Sequence, residues 1–309
     1  MEKAHHNPMI GKLENDLDRS LERRFVVEEK QITELNLERL DLTEVPERLK
    51  EFSELKSLNL AFNKLTRLPE WLCNLRKLEW VALAGNRIQN LPDCNPTFTK
   101  IDLTDNGLTT FPNVAHFWEL QTLILNHNML TVIPEWIGQL YHLEELHLAD
   151  NLIKHVPCKW ENLERLEIVN LGTNRLTAIP ISLLELPSIQ NLNFRMNLLN
   201  IIPEEITKME SLRSLDLSSN RIKELPNVAG DLINLHLLDL SHNLFEEATI
   251  PWYLPNLKIL NMAGNPFKEV TTDTLAMLPS LVGLVIEGSK LSEDAISFMR
   301  ENEIRHIVP

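Results

Sequence analysis

The pattern L-x-x-L-x-L-x-x-N-x-L returns along this chain every 20 to 24 residues, most often every 23, from Ile32 to about Leu291. The copies begin at Ile32, Leu55, Leu78, Phe98, Leu120, Leu143, Leu166, Ile189, Leu212, Leu235, Leu257 and Leu281. Self-similarity at this period means a stack of like units rather than one globular core. The apolar first, fourth, sixth and eleventh residues cannot bury themselves within one unit, but stacked neighbours join them into a continuous core. The alternation at positions four to six has the period of a strand with one buried face, so each unit contributes one strand to a parallel sheet.

Asparagine holds the ninth position in ten copies: Asn63, Asn86, Asn106, Asn128, Asn151, Asn174, Asn197, Asn220, Asn243 and Asn265. A buried amide carries both donors and acceptors, so it can satisfy backbone groups where the chain leaves the strand. The first copy has Leu40 there and the last has Ser289, as expected of capping units. Proline recurs beyond the eleventh position, at Pro46, Pro69, Pro92, Pro112, Pro134, Pro157, Pro180, Pro203, Pro226 and Pro251. It fixes φ and removes a donor, so the outer segments should hold one or two helical or 3₁₀ turns, with proline tolerated at a first helical position.

These residues carry a resemblance. The fuller signature L-x-x-L-x-L-x-x-N-x-L-x-x-L-P-x-x-[LI]-x-x-L reads on Leu55 to Leu75 and Leu120 to Leu140. The chain thus resembles leucine-rich-repeat proteins of the 23-residue intracellular class, similar to the Ras-associated scaffold group. The resemblance implies an α/β solenoid, a curved right-handed arc with the parallel β-sheet on its concave face and short helical or 3₁₀ turns on its convex face. It also implies ligands bound on the concave side, and no particular partner. Secreted bacterial effectors of the same superfamily have 20-residue units with an L-P-x-L-P phrase. Only the Leu78 unit is that short here, and the phrase is absent.

The uninterrupted period argues for one elongated domain, with residues 32–291 as twelve repeats. Residues 1–8 are expected to be disordered. Within 9–31, Ile10, Leu13, Leu17 and Leu21 lie at helical spacing, an amphipathic helix that covers the open edge of the first repeat or binds a partner. Phe25 to Val27 is expected to pack on or pair with that repeat. Residues 292–309 read as a C-terminal cap, a short helix started by Ser292 and a last strand from Ile304 to Val308.

Composition excludes several classes. A net charge of −14 disfavours nucleic acid and anionic membrane as partners. No apolar run is long enough to span a bilayer, and the first residues show no secretory signal. Cys73, Cys94 and Cys158 fall on outer segments without the paired caps of extracellular relatives, and no glycosylation acceptor is present. Free thiols in a reducing compartment, hence the cytoplasm, are the expectation; a redox pair of Cys73 and Cys94, in adjacent repeats, is the alternative.

No serine-hydrolase, Walker, dinucleotide, H-E-x-x-H or C-x-x-C motif occurs, and the segments outside the repeats are too short for a catalytic domain. The chain is therefore expected to be no enzyme, without cofactor or metal, monomeric, and to bind a protein partner. The alternatives are a regulatory subunit controlling a phosphatase or small GTPase, and a bacterial effector binding a host protein. The third, fifth and seventh residues of each unit point to the sheet face, with the eighth beside them. Large or charged residues in these columns nominate Phe62, Trp80, Lys100, Asp102, Ile124, His127, His147, Ile168, Arg195 and Met196 as the partner-binding set. His127 and His147, with Asp150 nearby, lack the third strong ligand of a zinc site. The fifth column is rich in Asn and Asp, free either to hydrogen-bond a partner or to stay hydrated.

Overall fold

The computed structural model describes residues 7–94, 96–156, 159–228, 232–287 and 289–307. The first six residues of the expected disordered tail, Pro157, Cys158 and Val308 lie outside the described residues. The chain divides into two compact units. The first comprises Met1–Leu130 with Gln139–Glu145, and the second Thr131–Gly138 with Leu146–Pro309. Each is a stack of strand-and-turn repeats of α/β solenoid class.

In the first unit, β1 (Phe25–Glu28) pairs antiparallel with β2 (Gln31–Asn36). Then β3 (Ser57–Asn59), β4 (Trp80–Ala82), β5 (Lys100–Asp102) and β6 (Thr122–Ile124) follow in parallel, each beside the last. Leu35, Leu58, Val81, Ile101 and Leu123 are in register at the strand centres and buried. The unit boundary falls within β7 (Glu145–His147). In the second unit, β8 (Ile168–Asn170), β9 (Asn191–Asn193), β10 (Ser214–Asp216), β11 (Leu237–Asp239) and β12 (Ile259–Asn261) pair in parallel. Two short strands, β13 (Glu269–Val270) and β15 (Lys290–Leu291), pair apart from them, while β14 (Gly283–Val285) and β16 (Arg305–Ile307) extend the main sheet. The fourth-position leucines and Val169 again form the buried row.

The asparagines hold each unit together across its repeats. Asn220 is buried, and its Nδ2 donates to the carbonyls of Phe194, Leu217 and Ser218 at 3.0 to 3.1 Å while its Oδ1 accepts from Leu199 N–H at 3.0 Å. Asn63 and Asn128 do the same with two N–H groups each. At the last repeat, Ser289 Oγ donates to Phe267 O at 3.0 Å, an eleventh-position carbonyl of the preceding repeat rather than the sixth-position carbonyl that the asparagines take.

The N-terminal helix α1 (Pro8–Leu17) begins earlier than the spacing predicts, because Asn7 caps it by accepting from Met9 N–H at 2.9 Å. It also ends earlier. Asp18 turns left-handed (φ 49°), so Leu21 leaves the helix yet stays buried, its N–H held by Glu14 Oε1 at 2.6 Å. Arg48 bonds both carboxylate oxygens of Asp16 and holds that carboxyl below its usual range.

The outer segments are mostly 3₁₀ turns, such as Glu47–Glu51, Glu70–Asn74 and Glu204–Lys208. Single α-helical turns occur at α2 (Ile181–Leu184) and α3 (Thr272–Ala276). Proline precedes several of these turns rather than occupying their first helical position: the Pro69 carbonyl accepts the first bond, from Leu72 N–H at 3.1 Å. Near the C-terminus, α4 (Glu293–Glu301) starts at Ser292, whose Oγ accepts from Ala295 N–H. Among the described residues, no helix is long and apolar enough to cross a membrane.

The expectation of free thiols is corrected at two cysteines. Cys73, in the turn after Pro69, and Cys94 form a disulfide across 21 residues, with Cα atoms 6.4 Å apart. The repeat starting at Leu78 is the shortest, and the bond ties its outer segment to the turn of the preceding repeat. This bond removes the cysteine-based argument for a reducing compartment.

Gly138 shows how tightly the outer segments stack. A Cβ there would lie 2.3 Å from the Lys159 carbonyl oxygen, a backbone atom that cannot rotate away. Gly138→Ala is expected to destabilise the second unit by about 1–3 kcal/mol. A urea midpoint equal to that of the wild type would refute this contact.

Candidate functional site

Strand alternation sends the third and fifth residues of each repeat to the sheet face, opposite the buried fourth. In the first unit Glu34, Ser57, Trp80, Lys100 and Thr122 lie in register as one column, and Asn36, Asn59, Ala82, Asp102 and Ile124 as the next. Trp80 is 39% exposed, and the Lys100 ammonium stands 6.0 Å from its ring centroid. This is an aromatic platform with a cation on its rim. Ile124 is half-buried.

Phe62 belongs to a different row. The eighth residue of every repeat from Arg39 to Gly264 has φ between 53° and 67°. This left-handed turn ends the strand, and the eighth N–H then bonds the next repeat, as Phe62 N–H does with Ala84 O at 2.6 Å. A large side chain in this region is strained and persists only where its surroundings hold it. Phe62 is 47% exposed, with the Arg39 guanidinium 4.7 Å from its ring centroid and Gly85 beneath it. A Cβ on Gly85 would sit 2.5 Å from Phe62 Cδ1, so that glycine both accepts the left-handed turn and makes room for the ring. His127 occupies the same row and is exposed.

In the second unit Ile168 and His147 are half-buried on the sheet face, while Arg195 and Met196 are exposed where β9 ends. Met196 shares the left-handed conformation (φ 54°). The structure adds Leu237 and Ile259, paired on β11 and β12 and 36% and 40% exposed. They stand in the same third column as Trp80, which is the signal that would have nominated them.

The Asn/Asp column is neither simply hydrated nor wholly free for a partner. Asn59, Asp102, Asn170, Asn193, Asp216, Asp239 and Asn261 each turn an Oδ1 onto the N–H two residues ahead, at 2.9 to 3.2 Å. This Asx turn starts the exit from the strand. Asp102, nominated for binding, therefore has one oxygen committed to Thr104 N–H.

A groove of about 830 Å³ in the first unit lies beside α1 and is lined by Asp16, Asp41, Glu44, Glu47 and Glu51 together with Arg48 and Lys50. Lys64 pairs with Asp41 and lowers its carboxyl below the usual range. Among the described residues, no group of three or more His, Cys, Asp and Glu side chains is placed to hold a metal ion.

Family models described as leucine rich repeat match residues 30–88 and 161–222, and a second such model matches 119–140. No curated protein sequence matches the chain. Among solved structures, a Leptospira interrogans LRR protein is 25% identical, with TM-score 0.66 over 89% of this chain and 83% of that one. An internalin of Listeria monocytogenes shares the fold at 18% identity, with TM-score 0.65 over 97% of this chain and 94% of that one. The Arabidopsis receptor kinase HAESA, solved with the peptide hormone IDA and the co-receptor SERK1, is 24% identical with TM-score 0.67. That match covers 91% of this chain but only 52% of the HAESA chain.

Proposed function

Taking as premise that this chain is a leucine-rich-repeat protein, we propose that it is a non-enzymatic interaction module that holds a protein partner on its sheet face. The observation that carries the reading is Trp80, a large aromatic exposed at the start of β4 with the Lys100 ammonium 6.0 Å from its ring centroid. Aromatic and arginine side chains dominate the binding energy of protein interfaces. In the first unit the partner would meet Phe62, Trp80, Lys100, Asp102, Ile124 and His127, and in the second His147, Ile168, Arg195 and Met196. Membership of the 23-residue class belongs to the same proposal and is supported by the repeat period. Among the solved neighbours, HAESA binds a peptide hormone and FLRT2 was solved within a complex with Latrophilin 3 and Unc5D, which lends the reading support by analogy alone.

The test is capture of partners from extract by wild type and by Trp80→Ala/Ile124→Ala, with thermal unfolding run alongside. Loss of two central contacts should reduce capture of a specific partner by about tenfold or more while the fold persists. Equal recovery of every captured protein by both would rule out the sheet face of the first unit.

A further inference from the structure

The sequence holds 44 acidic and 30 basic residues, yet three successive strand exits in the second unit carry four cations against one carboxylate. Residues 172–178, 195–201 and 218–224, each a repeat apart, contain Arg175, Arg195, Arg221 and Lys223 and one carboxylate, Glu224, beside Lys223. The fold stacks these stretches. Asn170, Asn193 and Asp216 are in register on β8, β9 and β10. Beyond the strands, Leu198 N–H donates to Leu176 O at 2.9 Å and Arg221 N–H to Leu199 O at 2.8 Å. Arg175, Leu198 and Arg221 therefore form one row, a repeat apart, with Arg195 and Met196 beside the middle member.

The row is open to solvent. The three arginines are exposed, Met196 is 48% exposed and Ile201 is 68% exposed. Among the described residues, none of the four cations makes an ion pair. Asp216, the one carboxylate on the adjoining strands, is turned onto Ser218, accepting from its N–H at 2.9 Å and its hydroxyl at 2.6 Å. On the matching edge of the first unit, Lys64 pairs with Asp41 and Arg39 with Glu38, while Arg87 stands outside an ion pair among the described residues.

We propose that this edge binds an extended acidic peptide segment with two carboxylates three residues apart and an apolar residue between them. Arginine takes a carboxylate through two parallel hydrogen bonds, and a methionine offers an adaptable apolar contact. The spacing follows from the stack. Neighbouring strands lie about 4.8 Å apart, so Arg175 and Arg221, two repeats apart, are separated by roughly 10 Å. A peptide in polyproline-type extension presents residues i and i+3 on one side, about 9 Å apart. Arg175 and Arg221 take the two carboxylates, and Arg195 adds a third charge-assisted contact. Met196, to one side of the row, receives the apolar side chain, which points away from the two carboxylates in this extension. A nucleic acid is disfavoured because a long polyanion meets the field of the whole chain at −14, whereas a short segment meets only the local edge.

The proposal rests on the reading of the chain as a binding module but uses different residues from Trp80 and Ile124. The probe is a dye-labelled synthetic peptide with two glutamates three positions apart and a leucine between them, titrated with the full chain and followed by fluorescence anisotropy. Wild type should bind it, more weakly as salt rises. Arg175→Glu/Arg221→Glu should weaken binding by about tenfold or more, since each change removes a charge-assisted contact and adds repulsion. Arg213→Glu, at the other end of the same strand, and Trp80→Ala/Ile124→Ala should leave it unchanged. No binding by wild type, equal binding by the charge-reversed variant, or equally tight arginine-dependent binding of a single-stranded oligonucleotide would overturn the proposal. If the peptide fails while Trp80-dependent capture persists, the edge alone is lost; if both fail, the module reading falls with it.

Discussion

Alanine at position 215 is expected to lower the unfolding free energy by about 2–5 kcal/mol, through lost transfer energy and the cavity left behind. Leu215 is fully buried at the centre of β10, in register with Leu192 and Leu238. A repeat contacts little beyond its neighbours, so few side chains can move in to close the gap. The loss should also be local. Amide exchange should accelerate first in β9, β10 and β11, and the urea midpoint should fall. A midpoint equal to that of the wild type would mean that the fourth residue of the repeat does not face the core.

The second large effect is at Asn128. Leucine there keeps most of the volume and removes every polar contact. Asn128 is buried, accepts from Asn106 N–H at 3.1 Å and Leu108 N–H at 2.9 Å, and donates to the carbonyls of Leu103, Leu125 and Asn126 at 3.0 Å. A buried backbone group deprived of its partner costs about 1–3 kcal/mol, so two orphaned N–H groups alone amount to about 2–6 kcal/mol for Asn128→Leu. Asn59→Ala on the sheet face, where water can replace the lost bond, should cost about 1 kcal/mol. Calorimetric melting of both variants separates the positions; equal small losses would show that the ninth-position amide is dispensable.

The register of the strands was legible because Leu-x-Leu alternation admits one phase: shifting Leu58 or Leu215 by one residue would expose the whole buried row. The ninth-position asparagines were legible for a similar reason, since a polar residue that recurs at one place among leucines needs an inward bonding role. The left-handed eighth residue was not. Arg39, Phe62, His127, Thr173 and Met196 share no side-chain chemistry, and the conformation comes from the hydrogen bond to the next repeat rather than from local preference. The Asx turns were hidden differently. Asn and Asp on a sheet face suggest hydration or binding, and only the geometry shows one oxygen turned back on the chain.

The ends and edges were less legible still. Helical spacing ran Leu21 into α1, because a single left-handed residue, Asp18, leaves no mark in a pattern of apolar residues. Cys73 and Cys94 were placed in adjacent repeats, but their bond depends on how a short outer segment folds back, which spacing alone leaves open. The binding set was read from residue size within columns. Applied only to the middle of the array, that criterion found Trp80 and Phe62 but left out Leu237 and Ile259, which are as large as Ile124 and stand in the third column near the array's C-terminal end.

Among the described residues, the side-chain bonds that the ninth-position asparagines make between repeats reach toward the preceding repeat. Asn63 serves Leu37, Leu40 and Leu42, Asn220 serves Phe194 and Leu199, and Asn265 serves Leu240, Asn243 and Phe245. Within each unit a repeat is finished by the one that follows it in the chain, which gives the stack an orientation. Cutting from the N-terminal side leaves an idle side chain at the new edge, whereas cutting from the C-terminal side strips partners from backbone that remains. Lengthening by duplication is therefore easiest in the interior, where each inserted copy meets a successor able to complete it.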